Sequence, residues 1–174
     1  MSGIIGVSSG MKSGVVGEFP AGHLSLSSVA IVAEQNGAGF GPGGFASGSW
    51  VPRDIDTTIQ GASFLTAVTG LFTLIAGTYQ IDWICTAFKV NHWKSQLFID
   101  GVGGQGLGLQ VYGETDDDVV TVSSGSAVVT RTASSNFGIN CWSGTGNTSD
   151  GLGRVTSLDG TYNNYCIVKI FKLA

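Results

Sequence analysis

The chain has 174 residues, enough for one hydrophobic core and too few for two full domains. Glycine takes 28 positions, proline three, and charged residues only 11% against 43% hydrophobic, which excludes collagen, proline-rich linkers and intrinsic disorder. Eight basic against twelve acidic residues give a formal charge of −4; this argues against a nucleic-acid surface, and so few charges favour a protein that hides surface in an oligomer.

Residues 1–23 are rich in glycine and serine, with aliphatics at Ile4, Ile5, Val7, Met11, Val15 and Val16. The glycines between them oppose a helix at ~1 kcal/mol each. An extended arm is expected, with those aliphatics seated in pockets of another protein. There is no basic n-region and no signal-like apolar run, and no stretch reaches the ~18 apolar residues of a membrane helix. Residues 24–174 form the expected globular domain. It opens with strand material from Leu24 to Glu34, followed by a glycine loop from Asn36 to Gly48. Strands are then expected over Asp54–Ile59, Phe64–Val68, Leu71–Ile75 and Thr78–Thr86. In the last of these Tyr79, Ile81, Trp83 and Cys85 share one face, the period of two of a half-buried strand. Further strands are expected over Ser95–Asp100, Gly108–Tyr112, Val119–Val122, Ala127–Arg131, Asn136–Trp142 and Tyr165–Leu173. About ten short strands between Gly, Ser, Asn and Asp loops predict an all-β antiparallel sandwich or jelly roll.

The closing strand carries apolar residues on both faces. Tyr165, Ile167 and Phe171 alternate with Cys166, Val168 and Ile170, so one face is expected on the core and the other, with Tyr165, Ile167 and Phe171, against a second subunit. An internal central strand would show the same pattern.

Motifs for chemistry are weak. Gly39-Phe40-Gly41-Pro42-Gly43-Gly44 has the letters of a dinucleotide fingerprint, but no helix start follows to hold a pyrophosphate. Gly6-Val7-Ser8-Ser9-Gly10 has those of a nucleophile elbow without its strand and helix. His23 and His92 have no metal-ligand partners at useful spacing. Glu114, Asp116, Asp117 and Asp118 make a solvated acidic turn, and Cys85, Cys141 and Cys166 are expected as buried free thiols. The expectation is a protein with no cofactor, no metal and no enzymatic activity. Trp50, Trp93 and Trp142 lie near loop-rich stretches, where aromatics stack on sugar rings or fill a subunit interface; Trp93 and Trp142 are the candidate glycan contacts, although core packing competes for such side chains.

Three segments carry a resemblance. The run Ser49-Trp50-Val51-Pro52-Arg53-Asp54-Ile55-Asp56-Thr57-Thr58, then Phe72-Thr73-Leu74-Ile75-Ala76-Gly77-Thr78-Tyr79-Gln80-Ile81, and the ending Tyr165-Cys166-Ile167-Val168-Lys169-Ile170-Phe171-Lys172-Leu173 recur in order. Together they resemble the trimeric C1q/TNF-like jelly-roll domain of phage tail and head fibres. The family pattern reads W-x-x-R-x-L-N-T, F-x-L-x-A-G-T-Y-x-I and V-E-I-W-K-L; here Ile55 and Asp56 replace Leu and Asn. The arm is similar to N-termini of phage structural proteins. The resemblance implies a homotrimer about a threefold axis and a virion location, with no active site. The leading expectation is a capsid decoration or cement protein, docked by its arm on the major capsid protein or another virion protein. Residues 1–49 lack the heptads or repeats of a fibre shaft. The alternative is a fibre-tip adhesin that binds host surface glycan. Neither reading involves nucleic acid or membrane insertion.

Overall fold

The computed structural model describes residues 28–37, 39–115, 118–155 and 162–173. The arm residues Ile4, Ile5, Val7, Met11, Val15 and Val16, together with His23, Asp116 and Asp117, lie outside them. Among the described residues there are eleven strands and no α-helix.

The strands are β1 (Val29–Asn36), β2 (Trp50–Pro52), β3 (Thr57–Gln60), β4 (Leu65–Val68), β5 (Phe72–Leu74), β6 (Gly77–Phe88), β7 (Trp93–Ile99), β8 (Val102–Leu107), β9 (Val120–Arg131), β10 (Ser135–Ser143) and β11 (Asn163–Lys172). They form two antiparallel sheets, one in the order β3-β1-β11-β6-β9, the other β4-β5-β10-β7-β8 with β2 also paired to β10. The chain crosses between the sheets within a few residues of Ala76. There the Tyr79 hydroxyl donates to the Ile75 carbonyl at 2.9 Å, and the Tyr79 ring packs on Phe64.

The alternation read from the sequence places the core. Tyr79, Ile81, Trp83 and Cys85 on β6 are buried, as are Val32 on β1, Val168 and Ile170 on β11, and Phe137, Ile139 and Cys141 on β10. β11 is a central strand between β1 and β6, so its inward face is buried by its own subunit. The three cysteines are free and buried. Cys85 and Cys166 face each other across β6 and β11 with their sulfurs 2.8 Å apart. Burial pushes the Cys85 and Cys141 thiols well above the ordinary range.

Two expected elements are corrected. Residues 119–131 carry one twelve-residue strand rather than two, because β9 pairs with β6 without a break from Gly77↔Arg131 to Phe88↔Val120. The Ser123-Ser124-Gly125-Ser126 run inside it looks loop-like by composition alone. Ser123 faces inward instead, in contact with the Ser95 hydroxyl at 2.8 Å and donating to the Leu109 carbonyl at 2.8 Å. The Trp83 indole N–H donates to the same Ser95 hydroxyl at 2.8 Å, so one hydrogen-bonded chain ties β6 and β9 of the first sheet to β7 of the second. The strand expected over Gly108–Tyr112 is replaced by β8, while Val111 keeps only an isolated bridge to Trp93. β7 and β8 are joined through Asp100 and Gly101, both with positive φ (50° and 81°), the conformation of a two-residue hairpin turn.

Gly125 belongs to this packing. A Cβ there would stand 2.2 Å from the Trp83 ring, so the indole lies directly on the β9 backbone. Gly125→Val is expected to destabilise the fold by about 1–3 kcal/mol through overpacking. Urea denaturation of the variant checks this, and unchanged stability would mean that Trp83 has room to move.

Candidate functional site

Two outward surfaces stand out, one on each sheet. On the first sheet, the side chains that alternate with the core point away from the subunit. Cross-strand register sets them in rows: Ile167, Ile84 and Ser124 in one, ending at the buried Ala33 of β1, then Ile31, Lys169, Asp82 and Ser126, and Val29, Phe171, Gln80 and Val128 beyond. Ile84 is 48% exposed and Val128 and Val122 are also exposed, while Ile167 and Phe171 are half-buried. From the second sheet, Leu107 and the following Leu109 reach the same side. With Asp82, Ile84, Ser124 and Ile167 they line an open cleft of about 630 Å³. Leu107 and Leu109 are themselves exposed. An outward face this rich in apolar side chains, interrupted by the Lys169, Asp82 and Ser126 row, marks an interaction site.

Of the three residues expected at a subunit interface, Ile167 and Phe171 lie on this outward face. Tyr165 does not present a free ring. It is 4% exposed, and its hydroxyl donates to the Phe40 carbonyl at 3.2 Å, so the glycine loop of its own chain covers it and leaves almost no surface for a partner.

On the second sheet the aromatic expectation divides. Trp93 points inward and is fully buried, packed edge-on against Phe45, with its indole N–H donating to Thr121 Oγ1 at 2.8 Å. This corrects Trp93 as a glycan contact: β7 alternates, and Trp93 falls on the same side as Ser95 and Leu97. Trp142, one residue past the inward Cys141 on β10, points outward. It stands opposite Trp50 of β2 on one side and Lys94 of β7 on the other. His92 packs against Trp142 and Tyr112 at ring-centroid distances of 6.1 and 6.0 Å. Sequence patterning points to Trp50 beside Trp142 but misses Lys94 and Tyr112; the period-two alternation of β7 and β10, once their pairing is known, identifies Lys94.

The acidic turn is partly paired. Asp118 contacts Lys89 at 2.9 Å and Arg154 at 3.0 Å, and the hydrogen bond from Lys89 holds its carboxyl below the usual range. The 39–44 glycine segment leads through turns to Phe45, which bridges Asn147, with no helix at its end. Among the described residues no three His, Cys, Asp or Glu side chains cluster as a metal site.

Beneath the surface lies a buried ion pair. Arg53, the arginine of the W-x-x-R segment, is fully buried. Its Nη1 donates to the carbonyls of Leu152 (2.8 Å) and Thr86 (3.3 Å), and its Nη2 meets Glu34 Oε2 at 2.5 Å. Glu34 Oε1 accepts from the Asp54 backbone N–H. One side chain thus pins β1, β6, the segment after β2 and the loop before β11.

No protein-family profile and no curated protein matches the sequence. Solved structures do. The globular domain of the zebrafish complement 1qA protein aligns with a TM-score of 0.54 and 16% identity over 84% of this chain and 96% of that one. The fold is the C1q/TNF-like jelly roll. The vertex protein P5 of PRD1, a phage protein, aligns with a TM-score of 0.50 and 11% identity over 86% of this chain and 99% of that one. The TNF Eiger from S. frugiperda aligns with 0.50 and 13% over 84% and 92%. The fold expected from the sequence is therefore the fold observed.

Proposed function

We propose that this chain is a phage virion structural protein, a homotrimeric capsid decoration or cement protein anchored by residues 1–23. The observation that carries this reading is the apolar outward face around Ile84, Ile167, Phe171 and Val128, on a fold shared with a phage vertex protein and with the C1q and TNF domains. Three subunits packed about an axis would remove that face from water, and with so few charges the lone subunit has little else to keep it soluble. The protein acts by assembly and adhesion rather than catalysis, and its place is the virion. The arm supplies the second contact. Its aliphatics dock on the major capsid protein or a neighbouring virion protein.

Deleting residues 1–20 is expected to leave a soluble trimer that no longer decorates capsids in a sedimentation assay. Binding retained by the truncated protein would remove the anchoring role, and a truncated protein that is monomeric would mean that the arm, not the sheet face, makes the trimer.

A further inference from the structure

We propose that the outward face of β2, β10 and β7 binds a saccharide carrying a carboxylate, with Trp50, Trp142 and Tyr112 as its stacking surfaces and Lys94 as its anion contact. The site lies on the opposite sheet from the apolar face, so it does not depend on the assembly proposed above.

The strand register builds it. Trp50 pairs with Trp142 and Trp142 with Lys94, so three outward side chains are direct cross-strand neighbours, about 5 Å apart at Cβ. The Lys94 ammonium lies 5.6 Å from the Trp50 ring centroid and 6.0 Å from that of Trp142. Next to them a depression of about 50 Å³ opens between His92, Lys94, Gln110 and Trp142. It has room for a carboxylate or hydroxymethyl group but not for a sugar ring, which must lie outside it on the aromatic surfaces. Tyr112, 72% exposed, flanks His92 and receives a hydrogen bond on its hydroxyl from Gln110 at 3.2 Å.

The charge pattern selects the ligand. Lys89 and Arg154 are paired with Asp118, and Arg131 with Asp100. Lys94, Lys169 and Lys172 make no ion pair among the described residues, and of the three Lys94 alone lies against indole rings. A cation held this way keeps most of its attraction for an anion, and a charge-assisted contact to a carboxylate is stronger than a neutral hydrogen bond. The exposed rings of Trp50 and Tyr112 and the half-buried indole of Trp142 match the apolar faces of sugar rings, while Gln110 and the ring N–H groups supply hydrogen bonds to hydroxyls. A polyanion such as nucleic acid would need many cations on one face, and the net charge of −4 works against it.

The test is isothermal titration of the full-length protein with sialyllactose and with trigalacturonate, each compared with lactose at matched millimolar concentration. At least one acidic probe is expected to bind, and lactose about tenfold more weakly, a difference of about 1.4 kcal/mol. Lys94→Gln should erase that preference, and Trp142→Ala or Trp50→Ala should abolish binding of the acidic probe, with thermal melts confirming that each variant is folded. No heat from either acidic probe overturns the proposal, as does lactose binding equal to the acidic probe or an unaltered preference in Lys94→Gln. Ile84→Lys, on the other sheet, should bind sugar normally whether or not it still assembles, so failure here and failure of the trimer are told apart.

Discussion

Replacing Arg53 with methionine is expected to lower stability by about 3–5 kcal/mol, the usual loss when one partner of a buried ion pair is removed. For a domain of this size that corresponds to a melting temperature roughly 6–20 °C lower. The variant loses two hydrogen bonds, to Leu152 and Thr86, and leaves the Glu34 carboxylate buried without its cation. In the native protein, burial pushes the Glu34 carboxyl above 4.5, and Arg53 and the Asp54 amide pull it back part of the way. Burial opposes the Arg53 charge too, but the Glu34 carboxylate outweighs it and holds the guanidinium more firmly charged than usual. Without Arg53 the Glu34 value in the folded state rises further. A group raised on folding contributes its stability below the unfolded value and loses it as pH rises through the folded one. Arg53→Met should therefore be most damaging near neutral pH and less so below about pH 4.5, which thermal melts across that range would measure. Adding Glu34→Leu to Arg53→Met should recover part of the loss, since an apolar pair of similar volume often matches a buried ion pair. Equal losses at all pH values, or no recovery in the double variant, would mean that the guanidinium acts only as a backbone clamp.

The same pair marks how far the sequence could be read. The fold class was legible because inward positions of β6, β10 and β11 alternate strictly, and such alternation over several residues is what a strand with one buried face requires. The limits lay where composition and geometry part. Val102-Gly103-Gly104-Gln105-Gly106-Leu107 looks like a loop, yet it pairs with β7 from Gln96 to Ile99. A Cβ on Gly106 would strike Ala127 and the Trp83 ring, so glycine is needed there for close approach rather than for flexibility. Asp100-Gly101 was a hairpin signal that could have revealed this strand. Of the candidate site, β11 was largely legible, since Ile167 and Phe171 do face outward. The role of Trp93 was not legible because it depends on which residue of Asn91-His92-Trp93-Lys94 begins the inward set, and a one-residue offset exchanges core for surface. Glu34 and Arg53 lie 19 positions apart and meet only through the packing of β1 beside the segment after β2, which no local pattern encodes.

For the proposed trimer, light scattering is expected to give about three times 17.9 kDa for the native protein and 17.9 kDa for Ile84→Lys. Ile84 stands opposite Ile167 in the register of β6 and β11 and faces away from the core of its own subunit. A lysine there is therefore accommodated by the isolated subunit, and its stability should change by less than about 0.5 kcal/mol, as for most surface substitutions. In a trimer the same residue would be buried at each of three symmetry-related contacts. Burying an ammonium there, where the neighbouring Asp82 carboxylate is already bonded to Gln80 and Ser126, costs several kcal/mol each time, more than a weak or moderate association can absorb. Loss of the trimer with retained fold is thus specific to an interface on this face. Ile167→Lys, one strand away on the same row, should act the same way, whereas Lys94→Gln on the opposite sheet should leave the mass unchanged. A native protein that is monomeric at micromolar concentration, or an Ile84→Lys variant that remains trimeric, would place the subunit contacts elsewhere and leave the exposed surface of Ile84, Ile167 and Val128 to another partner.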